Sequence, residues 1–221
     1  MVLRSKYTKN GQLSTEEFEH GASLTVLLLM IIENIFAGQD KTIDESCSVF
    51  LAGPSAGDVE MLGGWRRSLK DRLSTLDSPK LDKIQLIMPE PESGLWSDVI
   101  TDEYNEEDQT NWEYEAMLKS KVIAFWLPTF WTPEKAGAYP PNIGPSTRFE
   151  FGFFLHEALK NPRRGFIVGS PREAQSLTWA KVITKKYGYT WHYPDPNKNW
   201  EMVPAAFIQN IVSELVALKD I

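Results

Sequence analysis

The residues of this chain best suited to chemistry are two glutamates set among aromatic side chains. Glu150 lies in Ser146-Thr-Arg-Phe-Glu-Phe-Gly152, with Phe149, Phe151, Phe153 and Phe154 around it. Ser146 or Thr147 is placed to cap a helix, so Glu150 falls in its first turn or just after. There the helix dipole is expected to lower its pKa and keep it ionised. Gly152 leaves room beside it for a ligand or a strand. An ionised carboxylate in such a setting can attack an anomeric carbon or steady an oxocarbenium-like transition state. That chemistry needs a second carboxyl, and Glu113, in the helix-opening segment Gln109-Thr-Asn-Trp-Glu113, is the candidate. Each has a plainer reading: Glu150 as part of a helix start, and Glu113 as an acid that complements a helix dipole.

Other motifs carry less. Gly53-Pro-Ser-Ala-Gly57 matches the G-x-S-x-G elbow of serine hydrolases, with His192 downstream. That elbow ordinarily follows several strands, whereas an apolar helix is all that is expected before it here. No G-x-G-x-x-G follows the first expected strand and no G-x-x-x-x-G-K-[ST] occurs, which argues against dinucleotide and P-loop sites. The turn can still offer backbone N–H groups to a polar ligand. His20, His156 and His192 lack metal-ligand spacing, so no metal and no cofactor is expected. Glu90, Glu92, Asp102, Glu103, Glu106, Glu107 and Asp108 read as a solvated acidic stretch. Arg66, Arg67 and Arg148, the basic residues near the expected cleft, read as surface charge.

Alternating elements must position these groups. Ser14-Thr-Glu-Glu17 is a capping box for an apolar helix from about Thr15 to Phe36, read as a subunit contact. Strands follow at Ser48–Ala52, Lys83–Met88, Val122–Leu127 and Gly165–Val168, short apolar runs that end at Pro or Gly or near them. Helices are expected at about Asp58–Leu76, with Trp65, Leu69, Leu73 and Leu76 on one face, and at Gln109–Lys119 and Thr147–Leu159. A helix near Ala174–Lys186, a short strand at Tyr189–His192 and a helix from about Pro204 to Leu218 complete the chain. This pattern predicts an α/β fold: a flavodoxin-like or Rossmann-like, mostly parallel sheet with helices on both faces. Residues 1–46 are read as an N-terminal arm and helix, and 47–221 as the α/β domain. Ligands in such folds bind beyond the C-terminal strand ends. Here those ends lead into 53–58, 89–108, 128–146 and 169–171; the Pro-rich 129–145 segment is long enough to act as a lid.

Composition bounds the partners. The chain has 221 residues, 42% hydrophobic and 24% charged, with a net charge of -7. A sequence pI of about 5.1 argues against a nucleic-acid polymer, which would call for a basic surface. The single Cys47 excludes a disulfide framework and fits a reducing, cytoplasmic setting. The apolar run Leu24–Ile32 falls short of the roughly 20 residues of a membrane span.

Three ordered stretches give the chain a family likeness. Val49-Phe-Leu-Ala-Gly-Pro54, Gln109-x-x-Trp-Glu113 with Phe125-Trp-Leu-Pro128, and Thr147-Arg-Phe-Glu-Phe-Gly152 resemble the nucleoside 2-deoxyribosyltransferase family over about residues 48–170. The resemblance implies cleavage of the N-glycosidic bond of a 2'-deoxynucleoside through a glutamyl–deoxyribose intermediate, the sugar passing to another nucleobase or to water. By position, Glu150 is then the nucleophile and Glu113 the residue that handles the base proton. Gly53 and Pro54 form the floor of the site, and Trp112, Trp126 and Phe149 wall it. Asp58, Gln109, Asn142 and Ser146 are its further contacts. The family's aspartate six residues before the nucleophile is Gly144 here, with Asn142 or Ser146 as substitutes. The implied partners are a nucleoside or nucleotide, a free base and a second copy of the chain. Two alternatives stay open: an N-ribosidase, and a non-catalytic nucleotide-sensing module.

Overall fold

Runs rich in Val, Ile and Phe suit pleated, doubly covered strands, because β-branched and aromatic side chains pack well there. The computed structural model describes residues 30–37, 39, 41–54, 64–76, 81–93, 100, 105–128, 145–194 and 203–219. Among them the elements run β1 (Ile31–Phe36), β2 (Ser48–Ala52), α1 (Gly64–Leu73), β3 (Lys83–Met88), α2 (Glu106–Lys119), β4 (Val122–Trp126), α3 (Pro145–Lys160), β5 (Gly165–Gly169), α4 (Thr178–Lys186), β6 (Trp191–His192) and α5 (Ala205–Lys219).

The strands form one sheet in the order β1-β3-β2-β4-β5-β6, every pairing parallel. Without β1 this is the flavodoxin order, and it reverses direction between β2 and β4. Alternate strand residues point to opposite faces. Val49, Leu51, Leu86, Met88, Ala124 and Trp126 pack with α1 and α5. Phe50, Ala52, Ile87, Ile123, Phe125 and Val168 pack with α2, α3 and α4. Trp65, Leu69 and Leu73 line the buried side of α1, as their spacing predicts.

The expected helix over Thr15–Phe36 needs correction at its end. Residues 31–36 are strand β1, paired with β3 from Ile31↔Lys83 to Phe36↔Met88; residues 15–29 lie outside the described residues. A run of apolar residues with no clear period leaves helix and strand open. Three isoleucines and a free edge of β3 favour the strand. Glu33, which interrupts the run, sits on this edge and pairs with Lys83 at 2.7 Å, a charge that discourages further strand pairing. Behind it the buried Gln85 accepts from the Asp44 N–H at 2.7 Å and donates to Thr42 O and Glu33 Oε2.

Three helix starts also differ from expectation, and one of them is α4, which begins at Thr178 and not near Ala174. α2 begins at Glu106 because Asn105 Oδ1 accepts the Glu107 N–H at 2.9 Å, and Glu106, Glu107 and Asp108 complement the dipole of its first turn. Glu113 is therefore well inside the helix, and the dipole reading no longer accounts for it. α3 begins at Pro145, whose fixed φ and missing N–H suit a first helical position. Ser146 and Thr147 fall within its first turn and Glu150 in the second. No helix among the described residues is long and apolar enough to cross a membrane.

Candidate active site

The strand order reverses where β2 and β4 end, and the site is built there. β2 leaves the sheet through Gly53, whose φ of +142° is one that residues with a Cβ rarely adopt. A Cβ at Gly53 would also run into the carbonyl oxygen of Trp126 at the end of β4. The glycine thus lets two strand tips close on each other. Pro54 follows; Ser55 and Asp58 lie outside the described residues, so the hydrolase elbow has no described nucleophile.

Helices α2 and α3, both on the face opposite α1, carry the two carboxylates. Glu113 Oε1 accepts from Gln109 Nε2 at 2.7 Å, a pairing one helical turn apart. Burial nonetheless holds its carboxyl above the ordinary range, against the lowering effects of Gln109 and Arg66. The Glu150 carboxyl is pushed up to about 7, first by burial and then by the charge of Glu113, with Arg66 opposing both. The expectation of a depressed Glu150 is therefore reversed. A second-turn side chain has left the reach of the helix dipole, and desolvation together with a like charge dominates. Burial therefore favours the protonated form of both carboxyls, and the Glu113 charge adds to that effect at Glu150.

Aromatic side chains divide into core and surface. Phe149, beside Glu150, is 65% exposed and stacks on Phe153 at 6.0 Å between ring centroids. Tyr114 of α2 meets Phe153 at 5.5 Å. Trp112 is partly buried against the α2–α3–α4 core. Trp126 does not wall the site: its ring is 1% exposed on the opposite face of the sheet, edge-on to Phe207 at 5.3 Å. The alternation of strand side chains decides this, since Phe125 takes the α2–α3 face. Ser146 is exposed. Asn142, Gly144 and the 129–144 part of the expected lid lie outside the described residues. Among the described residues, no atom comes within 4 Å of a Cβ at Gly152, so the room it leaves is not a close packing contact with any of them.

Two residues at the strand ends were misjudged from sequence. Arg66, read as surface charge, is 1% exposed and donates to Leu51 O, Gly53 O and Glu90 Oε2, each at 2.9 Å. Glu90, read as solvated, is buried in that ion pair, and its Oε1 has no hydrogen-bond partner among the described residues. Pro89 and Pro91 flank Glu90 directly after a buried strand, a rigid setting that signals a held side chain. Arg66 lies beside the 65–69–73 apolar stripe of α1, near the helix start. A side chain there leans toward the N-terminal end and so reaches the strand tip. Of the other cations, Arg67 bonds Glu92 O at 2.6 Å, and Arg148 is exposed and sits over the Trp179 ring at 5.8 Å.

His192 is held below its ordinary pKa by burial and packs edge-on to Phe207. No cluster of His, Cys, Asp or Glu among the described residues is arranged to hold a metal ion. Taken together, the strand ends bring two coupled carboxyls, a buried guanidinium and an exposed aromatic stack to the place where this fold binds ligands. The chain matches no protein-family model, and no curated protein matches it.

Proposed function

We propose that this protein cleaves the N-glycosidic bond of 2'-deoxynucleosides, holding the sugar on Glu150 and passing it to a second nucleobase. The observation that carries the reading is the coupled pair of Glu113 and Glu150, both raised, at the switch point of the sheet. A double displacement needs one carboxylate and one proton source together, and a Glu150 carboxyl at about 7 with a Glu113 carboxyl raised by burial can supply both.

In the reacting state Glu150 is ionised and Glu113 carries the proton. The Glu150 carboxylate forms the bond to C1' as the bond from C1' to the base nitrogen breaks. The base leaves with that electron pair and takes a proton from Glu113. A second base, giving its own proton to Glu113, attacks C1' and releases Glu150; water in its place gives hydrolysis. Phe149 is the surface on which a flat base stacks. The resemblance over residues 48–170 supports the same roles and adds a homo-oligomer in a cytoplasmic setting as the expected context. Neither a metal nor a cofactor enters this scheme.

The test is chromatographic. Purified protein and its Glu150→Ala variant are incubated with purine and pyrimidine 2'-deoxynucleosides, with and without a different free base. A new deoxynucleoside formed only by the wild type supports transfer, and free base alone moves the reading to hydrolysis. No turnover on any deoxynucleoside or deoxynucleotide overturns the reading.

A further inference from the structure

We propose that Arg66 is the positioning residue of this site: through the turn it clamps and the charge it carries, it governs how the Glu113–Glu150 pair meets a ligand. The inference rests on reading those two glutamates as the reacting pair, and does not depend on which sugar or base they handle.

The geometry is that of a clamp. The Arg66 guanidinium sends one N–H to the carbonyl of Leu51 within β2 and another to the carbonyl of Gly53 just past its end, both at 2.9 Å. A third goes to Glu90 Oε2, beyond the end of β3. One side chain therefore fixes the exits of two neighbouring strands, including the glycine that closes on Trp126. Its own position is fixed in turn, because the guanidinium lies 4.5 Å from the centroid of the Trp65 ring and is almost fully buried. A planar fork suits this task, and an ammonium would not span the three acceptors.

A purely structural account leaves the charge unexplained. A buried ion pair is often no more stabilising than apolar residues of similar volume. Here the ion pair sits where its field reaches the reacting groups. Among the described residues, Arg66 is the one cation that acts on both Glu113 and Glu150, with the Glu113 charge opposing it at Glu150 and Gln109 a neutral donor to Glu113 on α2. Glu90 pairs with the guanidinium at 2.9 Å and offsets part of its charge. Arg66 thus favours the ionised form of the pair, and Glu90 tempers that effect.

The test exploits opposite signs. Glutamate carboxyls of the full chain, labelled with carbon-13, are followed by NMR against pH and assigned with Glu113→Gln and Glu150→Gln. Glu90→Gln should move the Glu150 midpoint down, and Arg66→Met should move it up, each by roughly 0.5–1 pH unit. Arg66→Lys keeps the charge but not the fork; it should leave the midpoint close to wild type and raise KM for the deoxynucleoside several-fold. Should Arg66→Met not fold, the other two variants still decide the matter. A midpoint unmoved in Glu90→Gln, or moved upward there, overturns the inference, as does an Arg66→Lys variant with unaltered KM. Opposite shifts in a protein that turns over no deoxynucleoside would uphold the role of Arg66 and remove the glycosidic reading alone.

Discussion

The charge of Glu113 opposes the ionisation of Glu150 from a second helix on the same face of the sheet, and the hydrogen bond from Gln109 falls on Glu113. Gln109 favours the ionised form of Glu113, while burial and the Glu113 charge both favour the protonated form of Glu150. Under the proposed function, binding a base that accepts a proton, or a sugar that excludes water, moves the two groups toward an ionised Glu150 and a protonated Glu113.

The first prediction concerns rate against pH. Glu150 must be ionised to attack, and its carboxyl lies at about 7. Turnover should therefore fall as pH drops through about 7, a limb that Glu113→Gln should shift downward by removing a like charge. Initial rates from pH 5 to 9 give the limb directly. A limb near 4.5 in the wild type would show that the free-protein value does not govern the reaction.

The same shift makes a stability statement. A carboxyl raised from 4.5 to about 7 binds its proton more tightly in the folded chain. Its stabilising contribution is complete below pH 4.5 and is lost as pH rises through 7, on the order of 3 kcal/mol. Glu113 acts in the same direction. Glu150→Gln should accordingly raise Tm at pH 8 by about 5 °C and leave it nearly unchanged at pH 4.5. Differential scanning calorimetry at the two pH values would show an equal effect at both if the burial argument is wrong.

Gly53 tests the closure of the strand tips. Gly53→Ala adds a Cβ at a φ of +142° and drives it into Trp126 O. Strain and overpacking together should cost about 2–4 kcal/mol in urea unfolding. A loss below about 0.5 kcal/mol would mean that the turn relaxes freely and does not hold the site.

Trp126 and Phe149 should behave oppositely. Trp126→Ala empties a buried site against Phe207 and should cost about 3–5 kcal/mol. Phe149→Ala removes a ring that is 65% exposed, so it should change stability by less than about 1 kcal/mol while raising KM several-fold. Urea unfolding and steady-state kinetics on both variants distinguish a core ring from a ligand platform.

Much of the framework was legible from the amino-acid order. The strands β2 to β5 are short runs of Val, Ile, Leu and Phe bounded by Pro, Gly or polar residues. Those side chains need cover on both faces, which a parallel sheet between helices supplies. Trp65, Leu69 and Leu73 announced the buried side of α1 by their spacing, and the two glutamates could be singled out by their aromatic surroundings. What local pattern could not determine was β1: three isoleucines admit helix or strand, and the exposed edge of β3 settles which. Nor could it assign Trp126 to the far face, bury Arg66 against Leu51, Gly53 and Glu90, or reverse the expected ionisation of Glu150. Propensity and periodicity act between residues a few positions apart, and the order of residues along the chain carries them. Desolvation and Coulomb forces act between groups that only the packed sheet and helices bring together, so the chemistry of the carboxyl pair belongs to the tertiary structure.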